Sequence, residues 1–262
     1  KQRRAGFHNE WMRHLKLEQL EERRLLAVDG FPTAMIDNTH SFDLDDGFLT
    51  DPSVGTPSEI AVALLESSPE IFGVDAITPG SVTVADEYTT PHNGVSHVYL
   101  NQMYNGLDVR NAVVNVGIGA DGSVINASAS LVNGLDDSNV DPPAPDLGAV
   151  AVLESLVDAF DWSMSSPVVV INAGNDLAQT TILSAHEIAL EPITAHLEYV
   201  PVGGSVELAW RLNVQTVDTS HWFDASVSAV DGDVLDVADW MSQAQYDVYA
   251  MPTESPSSAA RT

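Results

Sequence analysis

Apolar residues in this chain switch between two spacings. Thr56-Pro57-Ser58-Glu59 forms a capping box with proline at the first helical position. Ile60, Ala61, Leu64 and Leu65 follow at helical spacing, which predicts a helix ending near Ser67. Between 81 and 132 the period becomes two. Val98, Leu100 and Tyr104 share one strand face, Val114, Val116 and Ile118 share the next, and Asp121-Gly122 marks a hairpin turn. Beyond it Ile125, Ala127, Ala129 and Leu131 alternate with Val124, Asn126, Ser128 and Ser130. Helical spacing returns at Val150, Leu153, Leu156, Val157 and Phe160. Strand alternation then resumes at Val206, Leu208, Trp210, Leu212 and Val214, and again at Phe223, Ala225, Val227 and Ala229 up to Asp231-Gly232. Val234 to Trp240 continues the pattern, and Tyr246 to Tyr249 reads as a last strand.

A helix followed by strands and a strand–Asp-Gly–strand hairpin thus occurs twice. This predicts an α+β fold of two small domains, each a helix packed on an antiparallel β-sheet. The expected organisation is a basic leader (1–30), an acidic linker (31–55), a first domain (56–135), a linker rich in Asp and Pro (136–146), a second domain (147–250) and a disordered tail (251–262). Trp210, Trp222 and Trp240 are expected to anchor the second core.

Charge changes the picture most. The 38 acidic residues outnumber the 10 basic ones, for a formal net charge of −28. Seven of the basic residues (Lys1, Arg3, Arg4, Arg13, Lys16, Arg23 and Arg24) precede position 25; only Arg110, Arg211 and Arg261 follow. A polyanion of this kind repels nucleic acid and anionic lipid and suits a salty extracellular medium. Without cysteine there is neither a disulfide nor a thiolate ligand or nucleophile. No apolar run approaches the roughly 20 residues of a membrane span.

Several stretches imitate chemical motifs. His186-Glu187-Ile188-Ala189-Leu190 begins like H-E-x-x-H, but Leu190 stands where the second imidazole belongs and Pro192 argues against a continuing helix. Gly117-Ile118-Gly119-Ala120-Asp121-Gly122 matches G-x-G-x-x-G, yet the period-two residues after it read as a strand, not the helix a dinucleotide requires. Asp43-Leu44-Asp45-Asp46-Gly47 starts like a calcium loop whose twelfth position, Val54, lacks the bidentate carboxylate. The group Asp136, Asp137 and Asp141 reads as solvated linker. The eight histidines show no metal-ligand spacing, and His97 and His221 fall in predicted strands as packing or surface residues. No G-x-S-x-G elbow is present. No catalytic, cofactor-binding or metal-binding residue is therefore expected.

Two stretches carry a resemblance. Gly94-Val95-Ser96-His97-Val98-Tyr99-Leu100-Asn101-Gln102-Met103-Tyr104-Asn105-Gly106-Leu107-Asp108-Val109, with the hairpin at Asp121-Gly122, resembles the FTP motif of fungalysin and thermolysin propeptides. Leu208 to Val214 and Ser220 to Leu235, continued by Asp239-Trp240 and Ala244 to Pro252, are similar to the PepSY-like half of fungalysin propeptides. Leu17 to Ala27 resembles a leader of large exported bacterial proteins. The resemblance implies a non-catalytic propeptide of a secreted zinc metalloprotease, acting as intramolecular folding chaperone and inhibitor. Its partner would be the protease catalytic domain, in cis or in trans, and zinc would belong to that domain alone. Because the family pattern continues into an H-E-x-x-H domain that this sequence does not reach, the chain is expected to be a fragment, a released propeptide or a stand-alone relative. The alternative is a stand-alone extracellular surface or calcium-dependent interaction module.

Overall fold

In the computed structural model, residues 28–241 are described apart from 29, 37–38, 44–47, 79 and 136–143. The leader before 28, most of the Asp43–Gly47 stretch, Asp136, Asp137, Asp141, the strand expected at Tyr246–Tyr249 and the tail lie outside them. Within the stretch read as an acidic linker, Thr39–Asp43 forms strand β1. Helix α1 (Pro57–Ser67) starts as its sequence dictates. The Thr56 hydroxyl accepts the Glu59 N–H while the Glu59 carboxylate accepts the Thr56 N–H, relieving two of the donors a helix start leaves unpaired. Its Ile60, Ala61, Leu64 and Leu65 are buried. Strands β2 (Val82–Thr89), β3 (Ser96–Tyr104), β4 (Leu107–Ile118) and β5 (Val124–Ser130) then pair antiparallel in succession. The β3–β4 turn is Asn105-Gly106, both at positive φ (53° and 74°), the conformation a two-residue hairpin requires.

Helix α2 (Ala149–Ala159) buries Val152, Leu153, Leu156 and Val157. Strands β6 (Val169–Ala173), β7 (Thr181–Ser184), β8 (Ile193–Val202), β9 (Ser205–Gln215), β10 (Trp222–Ser228) and β11 (Val234–Asp239) follow, with β6 on β7 and β7 to β11 antiparallel in order. Two cores result. One lies under α1, with Phe72, Leu100, Val116 and Leu131; the other lies under α2, with Leu183, Leu197, Trp210 and Leu212.

The expected fold class is corrected here. The described residues do not form two separate helix-on-sheet domains; they are mostly β, one curled eleven-stranded sheet with two α-helices. The reason lies in β4. Its C-terminal part, Val113 to Ile118, pairs with β5, whereas Val109, nearer its start, pairs parallel with Tyr199 of β8. Between these lies Asn111 with φ of 60°, a kink inside a strand that redirects the edge from one neighbour to another. Strand β8 forks in the same way, pairing with β7 at Ile193 to Ala195 and with β4 at Tyr199. Leu107, Val109 and Ala112 of β4 consequently pack in the core under α2.

Two smaller expectations also change. Val124, not Ile125, enters the first core, because the β4–β5 register shifts beside Ile118 and leaves Ile125 unpaired. Of the three tryptophans only Trp210 is buried; Trp240 is 45% exposed and packs on Trp222 at 5.2 Å. The aromatic filling of the second core comes instead from Phe160, Trp162 and Phe223, whose rings lie within 6 Å of one another.

Candidate functional site

The pieces of the Ser96–Val109 pattern meet at the junction of the two halves. Gln102 of β3 sits where the β3–β4 register shifts. Its side-chain amide replaces the missing ladder bonds: Nε2 donates to the Val132 carbonyl at 2.8 Å and Oε1 accepts the Val132 N–H at 2.9 Å. Asn105 in the turn donates from Nδ2 to the Tyr199 hydroxyl of β8 at 2.8 Å. The kink residue Asn111 donates from Nδ2 to the Ala34 carbonyl.

Next to these, Arg110 enters a buried charge cluster. Its Nε donates to Asp236 of β11, its Nη1 to Glu198 of β8 at 3.4 Å, and its Nη2 to both the carbonyl and the carboxylate of Asp224 on β10. Arg211 of β9 grips Asp224 bidentately, with both contacts at 2.7 Å, the geometry in which guanidinium and carboxylate bind best. The Ser226 hydroxyl donates to Glu198, and the Ala34 N–H donates to Asp236 at 2.7 Å. The Arg110 and Glu198 side chains are only 5% and 1% exposed.

The electrostatics follow from that burial. For Arg110, burial works against the charge, but Glu198, Asp236 and Asp224 outweigh it and push its pKa above the ordinary value. Burial raises Glu198 despite both arginines. At Asp224 burial is outweighed by the Arg211 hydrogen bonds and by Arg110, which hold it below the usual carboxylate range. Neighbouring His196 is lowered by burial and then by Arg211, and so brings no third cation at neutral pH.

The motif look-alikes are placed elsewhere. His186 and Glu187 lie in the turn between β7 and β8, not on a helix. His186 Nε2 is bonded to the Ser184 hydroxyl, and Glu187 accepts from Ser165 and Ser166, which hold its carboxyl down to about 2, with Ser166 contributing most. Leu190 donates its N–H to Gln215. A zinc ion does not fit this arrangement, and among the described residues no group of three His, Asp or Glu side chains is placed to hold a metal. Gly117 to Gly122 closes the β4–β5 hairpin, with the Gly122 N–H bonded to the Gly119 carbonyl. His97 stacks on Tyr88, and His221 Nδ1 pairs with Asp239 at 2.6 Å.

A cleft of about 610 Å3 lies beside Phe31, Phe160, Trp162 and Phe223. The carboxylates that line it, Glu187 and Asp218, are already committed. Asp218 accepts from Thr216 and Ser220, which hold it at about 2, with Thr216 the larger cause. His221, whose Nδ1 is bonded to Asp239, also lines the cleft. Sequence reasoning did not find the cluster. Its signal was the survival of Arg110 and Arg211 in a long acidic stretch, together with Asp224 and Ser226, which alternate with core residues.

A β-hairpin whose turn, edge and first arginine all serve a joint between two halves is a structural module, and its sequence defines the class. Residues 80–131 match the Fungalysin/Thermolysin Propeptide Motif. The chain is 33% identical over 199 residues to Extracellular metalloproteinase 2 of Phaeosphaeria nodorum, covering 72% of this chain and 30% of that protein. It is 29% identical over 254 residues to Extracellular metalloproteinase mep of Aspergillus niger, covering 90% and 39%. Extracellular metalloproteinase 5 of Trichophyton rubrum is 28% identical over 247 residues, covering 90% and 36%. Residues 80–131 therefore carry the FTP propeptide motif, and the chain is similar to extracellular metalloproteinases, of whose length it spans between 30% and 39%. A solved structure, the Bacillus megaterium YpeB C-terminal domain, aligns over 76% of this chain and 71% of that one at 11% identity with a TM-score of 0.32, too loose a likeness to define the fold. No helix among the described residues is long and apolar enough to cross a membrane.

Proposed function

We propose that this chain assists the folding of a secreted fungalysin-like zinc metalloproteinase and then inhibits it, performing no reaction itself. In this reading residues 56–135 are the FTP-like domain, 147–250 the PepSY-like domain, and zinc resides in the catalytic domain. The reading rests on the match at 80–131. The matched residues Asn105 and Arg110 hold the two halves together, which presents a preformed surface to a partner and limits the ordering entropy on binding. A covalent link to the protease supplies an effective concentration on the order of millimolar, lost once the link is cut. The H-E pair that ends at Leu190 supports a non-catalytic role, and the extracellular relatives support secretion. The calcium-dependent surface-module reading is not favoured by the comparisons.

The test is to titrate the chain into the isolated catalytic domain of the Aspergillus niger relative and follow peptide hydrolysis. Saturable inhibition is expected. Undiminished hydrolysis at concentrations well above micromolar, with the chain folded by circular dichroism, overturns the inhibitor role. Refolding yield of the denatured catalytic domain, with and without the chain, tests the folding role separately.

A further inference from the structure

Among the described residues strand β6 bonds to β7 alone, so its other edge meets no described strand. All five of its residues are exposed, with Val169, Val170 and Ile171 at 56%, 47% and 55%. Free main-chain donors and acceptors beside apolar side chains form a template for a further strand, and proteins ordinarily blunt such edges with charge. Strand β2, another outer strand, is blunted by the exposed Asp86 and Glu87. No charged residue occurs from Trp162 to Asn175 around β6.

The edge is also held in place at both ends. Glu187 accepts the N–H groups of Ser165 and Ser166 just before the strand. In the β6–β7 hairpin, Asp176 accepts from the Thr180 N–H and hydroxyl, and the Gly174 N–H bonds to the Thr180 carbonyl. A strand held this way loses little further freedom on pairing. Charge then selects the occupant. Among the described residues the lysines and arginines are Arg110 and Arg211, both bonded into the carboxylate cluster. Among the described residues the remaining fixed charge is negative, with Asp176 and Glu187 at the ends of β6. The described part of a second copy is repelled, while a cationic segment is attracted.

We infer that β6 is a docking edge at which a partner protein adds an extended apolar strand flanked by lysine or arginine. The inference stands on the sheet edge and the charge distribution, and does not depend on which protease, if any, the chain inhibits.

The test uses the full chain and a labelled synthetic peptide of alternating valine and threonine with paired lysines at both ends, beside the same peptide ended with glutamates. Fluorescence anisotropy and amide hydrogen exchange are the readouts. The lysine peptide is expected to bind saturably, slow exchange of the β6 amides and weaken with added salt, while the glutamate peptide does not bind. Val170→Lys and Val170→Glu should each weaken binding by about tenfold or more, and Val113→Lys, an exposed position on an interior strand, should leave it unchanged. Binding without β6 protection, or binding that Val170→Glu strengthens, shows diffuse charge attraction and overturns the proposal. Salt-induced self-association that protects β6 shows that the edge takes a second copy, and overturns it as well.

Discussion

Replacing Arg110 with methionine keeps most of the side-chain volume but removes the guanidinium that Glu198, Asp224 and Asp236 share. The three carboxyls do not suffer equally. Asp224 keeps its bidentate bond from Arg211. Asp236 keeps the Ala34 N–H, and Glu198 keeps the Ser226 hydroxyl and Arg211 at 3.8 Å. Removing one partner from a buried ionic group costs about 3–5 kcal/mol, because the remaining charge is left uncompensated. For a folded unit of this size that is a fall in Tm of about 6–20 °C. The pH dependence has a defined sign. Glu198 already has a raised pKa, and loss of Arg110 raises it further. A carboxyl raised in the folded state favours folding below its unfolded pKa and loses that contribution as pH rises through the folded one. The deficit of the variant is therefore largest at neutral pH and shrinks on acidification. Urea denaturation followed by tryptophan fluorescence at several pH values measures both effects. A loss below about 1 kcal/mol, the worth of an exposed ion pair, would refute the picture of a desolvated joint. So would a deficit that grows as the pH falls.

Two further outcomes follow from the same geometry. Gln102→Leu fills similar space but leaves the Val132 N–H and carbonyl unpaired, so a loss of about 1–3 kcal/mol is expected in denaturation; an unchanged midpoint would show that the amide does not substitute for the ladder. Glu187 is held down from 4.5 to about 2 by Ser166 and Ser165. A depressed carboxyl contributes stability above its unfolded pKa and loses it as pH falls through the folded value. The Tm gap between the native chain and Glu187→Ala should thus be present at neutral pH and close between 4.5 and about 2; a gap that persists below this window would assign the effect to something other than the carboxylate.

Much of the local structure was legible because local rules decide it. The Thr56–Glu59 capping box, the helical stripe of α1 and the two Asp-Gly hairpins each depend on residues a few positions apart. The false motifs were legible for the same reason: Leu190 excludes a second imidazole, and the alternation after Gly122 excludes a helix. The FTP pattern at Gly94–Val109 and Asp121-Gly122, inside the matched residues 80–131, was visible as well, although what its residues do was not.

The sequence by itself thus determined where helices and hairpins begin, the acidic surplus, and the propeptide-type motif, since each is written in residue type and short spacing. Only the tertiary structure decided that two expected sheets are one. That outcome turns on a positive φ at Asn111 and on a pairing of Val109 with Tyr199 that no periodicity announces. It also decided which charges are buried. Arg110 meets Glu198, Asp224 and Asp236 across 88 to 126 positions, and a polar residue alternating along a strand looks the same in sequence whether it faces water or another half of the fold. Burial depends on what covers a face, and coverage is a property of the assembled sheet.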